Sequence, residues 1–454
     1  MNHSFDIEFQ SCSDYNRFDQ PQACIDGNSD AQTAAASASF ISNTLTFLTS
    51  SLVGSITDQH GRRLALIIAS FLTCLGPFAL VLIQMYPLSI NPNWYYVSSS
   101  TTGLVSWISI ALSALSDSMP KQWRSTMFGL LLSGFSLGFA LSPVLALGFS
   151  HYGVSILSFS LLFFGGVVYS ILFLPETLSK EAIVAARRVR AEQDEEERIS
   201  RRERGSDGLY ANSYVQILVS GVMRPFKELS ILNRNAFFRL LSSLAFFSGM
   251  SISADQTLLI YYVENRLGFT DADVAQMFGI IGLLGLVVQG FFLKIFTDFM
   301  GERLVIVGAF ICGIITNILY AFAPSKALIL VAVTISSFGA MSFPTISAVK
   351  ANNVEECEQG RIQGALYALS SLASAVGPFL LRAAYQKTKD TKYPGSFFLV
   401  ASAFFFVATL CSWALPKDKT NSVKRNRGQS SEASVELMED AESRLRQEQS
   451  APLL

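Results

Sequence analysis

Long apolar runs, each closed by a short polar turn, recur from about residue 31 to residue 416. They lie near 32–55, 64–86, 94–117, 125–149, 153–174, 237–262, 272–296, 303–323, 327–349, 362–385 and 396–415. Roughly 20 apolar residues are enough for a helix to cross the hydrocarbon core of a bilayer. The runs lack the alternation of a half-buried strand and are too long for a buried one. The pattern predicts an all-α integral membrane protein with about eleven transmembrane helices. Five form an N-terminal bundle at 31–174 and six a C-terminal bundle at 237–415. Residues 1–30 are polar and acidic, with Arg17 as the lone base, and lack the apolar centre of a signal peptide. Residues 175–236 carry dense mixed charge, including Arg187-Arg188-Val189-Arg190 and Asp194-Glu195-Glu196-Glu197, and read as a solvated, partly helical linker. Its end, Tyr210 to Leu232, is more amphipathic and suits a membrane surface. Residues 416–454 are polar and Ser-rich, the composition of a disordered tail.

Composition agrees. Charged residues are 15% of the 454 and hydrophobic ones 50%; a soluble globular chain carries roughly 25% charged residues. So little charge cannot cover a water-facing surface, and the lipid bilayer is the implied surroundings. The net charge of −1 gives no reason to expect nucleic acid. Six scattered Cys without a CxxC, and three His, offer no metal site. Cys12 and Cys24 share the acidic N-terminal segment, where a disulfide and two free thiols both remain open.

Lys and Arg fix an orientation. Arg62, Arg63, Lys121, Arg124, the linker arginines, Arg303, Lys350 and Arg361 fall on one side. By the positive-inside rule that side is cytosolic, with the linker and the C-terminus, and the N-terminal segment is not. Arg266, Lys326 and the cluster Lys387, Lys389 and Lys392 fall on the other side, the cluster being a real exception.

Two polar turns repeat. Gly54-Ser55-Ile56-Thr57-Asp58-Gln59-His60-Gly61-Arg62-Arg63 has a partner in Thr297-Asp298-Phe299-Met300-Gly301-Glu302-Arg303. In both, Gly follows Asp by three residues and Arg by five. Gly129 is followed after thirteen residues by Ser142-Pro143, and Gly364 after thirteen by Gly377-Pro378, with Arg124 and Arg361 ahead of them. Repetition in the same sense at 235–240 residues predicts two parallel, pseudo-symmetric halves. Gly134, Gly138 and Pro143 put small residues along one helix, which serves either close packing or a hinge.

These stretches resemble the major facilitator superfamily. Gly54 to Arg63 is similar to its GxxxDxxGRR loop, and Asp298, Gly301 and Arg303 to the weaker second copy. Gly134 to Gly148 resembles its fifth-helix antiporter stripe, with Ser142 where Gly is usual. Pro175-Glu176-Thr177 resembles its PES/PET ending. Asp117 with Gln122-Trp123-Arg124-Ser125, Ser342-Phe343-Pro344-Thr345-Ile346-Ser347-Ala348, and Gly360-Arg361-Ile362-Gln363-Gly364 resemble the hippocampus-abundant-transcript and tetracycline-resistance-like branch. The resemblance implies twelve helices. It makes the first run here the family's second, so the expected first helix is missing, through a truncated gene model or natural shortening.

No catalytic constellation stands out, so an enzyme is not expected. No GxxxxGK[ST] phosphate loop is present, and no cofactor is implied. Ionisable groups within spans are costly and functional by default. Asp255 lies about 24 Å into its span at 1.5 Å per residue, beside Gln256, and is the candidate for proton or substrate binding, with Asn317 and Tyr367 as uncharged lining. Asp58, Arg62, Arg63, Asp117, Arg124, Asp298 and Arg303, with Gly54, Gly61 and Gly301, are candidates for conformational gating, in which Asp117 and Arg124 pair in one state and separate in another. The expected function is secondary active transport of a small organic solute by alternating access, coupled to protons. A non-transporting transceptor or trafficking protein on the same fold is the alternative. Ala451-Pro452-Leu453-Leu454 resembles a dileucine sorting signal, and the plasma membrane and a vacuolar or lysosomal membrane both stay open.

Overall fold

The computed structural model describes residues 21–203, 226–389 and 391–416. The whole of Cys12 and the side chains of Cys24 and Gln256 lie outside the described residues, so neither the disulfide question nor a role for Gln256 is addressed. The described chain is helical. The N-terminal half comprises α1 (Gln22–His60), α2 (Arg63–Met85), α3 (Asn93–Ser100), α4 (Trp107–Ser118), α5 (Arg124–Gly148), α6 (His151–Ser160) and α7 (Tyr169–Leu172). A linker helix, α8 (Lys180–Glu203), follows. The C-terminal half comprises α9 (Ala236–Leu267), α10 (Asp271–Val287), α11 (Leu293–Met300), α12 (Glu302–Phe322), α13 (Lys326–Gly339), α14 (Ser342–Asn352), α15 (Gln359–Thr388) and α16 (Phe398–Trp413). Short π-helical stretches join α6 to α7 and α10 to α11.

Nine of the eleven expected spans are long and apolar enough to cross a membrane among the described residues. The other two depart for physical reasons. The run at 32–55 lies in α1, which starts at Gln22, ahead of the expected boundary at residue 31. It is rich in hydroxyls that lower its hydropathy. Several bond back to helix carbonyls, Thr44 to Phe40, Thr46 to Ser42 and Thr49 to Leu45, while the buried Ser50 and Ser51 hydroxyls have no partner among the described residues. The run at 94–117 is broken. After α3 and a 3₁₀ turn at Thr101–Leu104, Val105 is extended and Ser106 caps α4 through Ser109 N–H.

A matching interruption separates α13 from α14 at Ala340–Met341, where the turn tightens to three-residue hydrogen bonds, Ala340 N–H to the Ser337 carbonyl and Met341 N–H to that of Phe338. The two breaks are about 235 residues apart, the period of the sequence repeat. Paired interruptions in corresponding helices of two halves are a feature of transporter substrate sites.

Outward faces stay apolar. Phe71, Leu161, Phe164 and Phe173 of the N-terminal half and Phe379, Phe406 and Leu410 of the other are exposed, as lipid contact requires. Inside the C-terminal half, Tyr262, Val263, Ile329, Ala332, Phe397 and Phe398 belong to one buried cluster.

The halves meet chiefly along two helix pairs. α1 packs on α15 at glycines: a Cβ on Gly54 would strike the Gly360 carbonyl, and one on Gly364 the Ser50 carbonyl. α5 packs on α10, where a Cβ on Gly282 would meet the Ala140 backbone and one on Gly285 the Ser136 hydroxyl. Gly134 and Gly138 do not contribute. Nothing lies within 4 Å of where their Cβ atoms would sit, because they turn away from the face that carries Gly129, Ser136 and Ala140. Gly377 does pack closely, against Met250 of α9. Pro143 and Pro378 both lie inside their helices.

Gly364→Val is therefore expected to cost about 1–3 kcal/mol by overpacking. Gly134→Ala should be neutral or gain up to ~1 kcal/mol from helix propensity. Thermal unfolding of the two purified variants in one detergent separates them; equal melting temperatures would contradict this packing.

Candidate functional site

The Asp58 turn forms the polar seam between the halves. Gly61 ends α1 with φ +96°, a conformation only glycine adopts without strain, and its N–H returns to the Thr57 carbonyl at 3.0 Å. A side chain there would also strike the Glu176 carboxylate. Glu176 accepts from the N–H groups of Arg62 (2.8 Å) and Arg63 (3.1 Å) and so holds the turn to the segment after α7.

This turn aims Arg62 inward, fully buried. Its guanidinium pairs with Asp58 at 2.6 Å and with Asp117 of α4 at 3.0 Å, and donates to the Thr57 hydroxyl at 2.8 Å. Asp58 is buried as well. Its two carboxylate oxygens accept the backbone N–H groups of Gly360 and Arg361, each at 2.8 Å. Those donors sit at the start of α15, where helix N–H groups lack intrahelical partners and the dipole favours an anion. One carboxylate of the N-terminal half thus binds the N-terminus of a C-terminal-half helix. Gly360 permits it: a Cβ would collide with the Arg62 guanidinium and the Gly54 carbonyl.

Nearby polar groups complete the seam. Ser113 and Ser116 of α4 donate to the Gln359 main-chain and side-chain oxygens at 3.4 and 3.1 Å. Arg124 donates to the Ala351 carbonyl (2.9 Å) and to Asn352 (3.3 Å) of α14, and to the Ser116 carbonyl (2.7 Å).

In this state Asp117 and Arg124 are not paired with each other: Asp117 is taken by Arg62, and Arg124 crosses to the Ala351 carbonyl and the Asn352 side chain of the other half. Arg63 is not part of the buried seam. It points outward and donates to the Ile171 carbonyl at 2.6 Å, because the turn sends adjacent side chains to opposite sides.

The second copy keeps the fold of the turn but not its burial. Gly301 has φ +84° and donates to the Thr297 carbonyl at 3.0 Å. Asp298 is half exposed and pairs within its own helix with Lys294 at 2.7 Å. Lys294 also lies over the Trp123 ring at 4.1 Å. Arg303 donates to the Trp413 carbonyl.

Asp255 is placed elsewhere, within the C-terminal bundle. Its Oδ2 accepts from Asn317 Nδ2 at 2.9 Å, and the same amide donates to the Gly313 carbonyl at 3.0 Å. Asn317 is fully buried, and among the described residues neither its Oδ1 nor Asp255 Oδ1 has a partner. Tyr367 lies on α15 and hydrogen-bonds Ser106, the residue at the break before α4. The structure thus brings Asp255 and Asn317 together and leaves Tyr367 apart from them.

Sequence reasoning overlooked Glu228. It is buried in the segment before α9 and pairs with Arg190 of α8 at 2.7 Å and Arg361 of α15 at 2.8 Å. A lone acid in an amphipathic stretch carries no spacing signal, and its partners lie far off in sequence. Among the described residues no group of three or more His, Cys, Asp or Glu is arranged to hold a metal ion.

The comparisons with known proteins agree with this architecture. The family model described as Major Facilitator Superfamily matches residues 27–298 and 290–449. The Mus musculus hippocampus abundant transcript-like protein 1 is 23% identical over 340 residues, 74% of this chain and 60% of that protein. The chain thus spans about 60% of the length of the first curated relatives it matches. The Escherichia coli class C tetracycline resistance protein is 25% identical over 150 residues, 33% of this chain and 38% of that one. Among solved structures, the human organic anion transporter MFSD10 (TETRAN) superposes with a TM-score of 0.66 at 19% identity, covering 84% of this chain and 83% of its own. The E. coli fucose:proton symporter FucP gives 0.57 at 12% identity, over 85% and 92%. With a family model matched over most of its length, on a fold of two helical halves, the chain belongs to the Major Facilitator Superfamily.

Proposed function

We propose that the protein carries a small organic solute across a membrane by alternating access, and that the Asp58 seam is its gate on the linker side. The observation that carries this reading is the buried Asp58 carboxylate on the N-terminus of α15. It is an anion of one half satisfied by donors of the other, and it loses them when the halves separate there. Arg62 and Asp117 keep the buried charge compensated while the seam is closed. Removing one member of such a set leaves an unpaired buried charge, a cost of about 3–5 kcal/mol. The interaction therefore favours the state closed on this side and must be repaid when that side opens. The positive charges of the sequence make this the cytosolic side.

Coupling to protons is assigned to Asp255. Its pairing with the neutral Asn317, within a span and with one oxygen that no described residue satisfies, suits a carboxyl that takes up and releases a proton. FucP is named a fucose:proton symporter, a precedent for proton coupling on this fold. The relatives' names suggest two probes, tetracycline and a fluorescent organic anion.

Two experiments follow. In a Ser113→Cys background, the common parent of every variant compared, the new thiol is buried in the seam, and Asp58→Asn should raise its rate of maleimide modification in nanodiscs at least tenfold, read by mass spectrometry at that site. An unchanged rate would remove Asp58 from the gate. In liposomes with an imposed pH gradient, uptake of one or the other probe should be lost in Asp255→Asn. Absence of flux for both probes in folded wild-type protein would favour the non-transporting alternative.

A further inference from the structure

The Asp58 contact does not end at α15. Arg361 belongs to two networks at once. Its backbone N–H holds Asp58, while its guanidinium holds Glu228 at 2.8 Å. Glu228 is 1% exposed and spends its other oxygen on Arg190 of α8 at 2.7 Å. Two ion-paired sets therefore run from α4 into the linker, Asp117–Arg62–Asp58 and Arg361–Glu228–Arg190. The Arg361 backbone N–H on Asp58 joins them.

The linker reaches this chain from both of its described ends. On the first, α8 lies against the gate helices: Ala182 and Ala186 are buried, and Arg187 donates to the Gln59 carbonyl at the end of α1 at 2.9 Å. On the second, Arg234 makes a two-pronged pair with Glu358 at 2.5 and 2.9 Å, beside the start of α15. A small cavity between these elements is lined by Ser55, Asp58, Gln59, Arg190, Glu228 and Arg361. The linker thus bridges an element of each half across the seam, α1 on one side and α15 on the other.

We infer that Glu228 is a positioning residue for the gate and that α8 is a latch, whose release from Glu228 must accompany opening on the linker side. This rests on the gate reading of Asp58. The mechanism is electrostatic. When α8 lifts away, Glu228 keeps one of its two guanidinium partners, and the buried carboxylate becomes costly where it stands. Arg361 is then held less firmly, and the N–H that binds Asp58 moves with it. Conversely, a docked α8 ties α1 to α15 through Gln59 and Glu228 and opposes their separation. Any partner or modification that draws α8 off this surface raises the frequency of opening. Glu228 itself touches no solute.

The test uses the full chain in nanodiscs, with the Ser113→Cys thiol and maleimide as the probe. Arg190→Gln and Glu228→Gln should each speed modification about tenfold, the effect of losing a charged hydrogen bond. Arg190→Lys, which keeps the charge, should restore most of the slow rate. Because a merely structural loss would lower the melting temperature without exposing this thiol selectively, thermal unfolding is recorded alongside. Should Glu228→Gln fail to fold, the more exposed Arg190 carries the test. If both Gln variants react at the parent rate while Asp58→Asn reacts fast, the latch is overturned and the gate stands. If Asp58→Asn is also slow, the gate reading falls and the latch with it.

Discussion

A carboxylate buried between two helical halves must be compensated, and the arrangement of this protein on one side follows from how Asp58 is compensated. Arg62 supplies a charge from its own helix and the first N–H groups of α15 supply donors from across the seam. Two glycines bring the backbones close enough, Gly54 on α1 and Gly360 on α15, and Gly61 takes the positive φ that turns Arg62 back under Asp58. Glu176 then pins the turn from the end of the same half. The cluster is built so that it is complete only when the halves touch.

Duplication makes the asymmetry informative. The second turn repeats the glycine geometry and the threonine hydrogen bond, yet Asp298 stays half exposed and pairs with Lys294. The same local structure is therefore compatible with two uses. What separates them is the surroundings: one aspartate faces a helix N-terminus across the seam, and the other faces solvent beside its own lysine. The helix breaks before α4 and before α14 repeat at the same period, so the duplication extends to the interior of the spans.

Hydropathy made the helices and the division into halves legible, because lipid-facing length is a property of composition. The polar turns were legible from their spacing. The helix breaks were not: the runs containing Val105–Ser106 and Ala340–Met341 stay apolar through the interruption. Nor could spacing decide between Arg62 and Arg63. Adjacent residues on a turn face opposite ways, and only the backbone shows which is buried. Asp117 and Arg124 could be read as an acid and a base on one side, but the partners each takes in this state could not, because Arg62 and the end of α14 are supplied by other segments. Glu228 was invisible because everything it binds is contributed by other segments.

The central claim is that the buried Asp58 contact holds the two halves together on the linker side. Spin labels at the exposed positions Gln122 and Glu355, one on each half, report that separation by double electron–electron resonance. The wild-type protein should give one narrow distribution at short distance, and Asp58→Asn should add a population at longer distance. An identical distribution in both proteins would contradict the account.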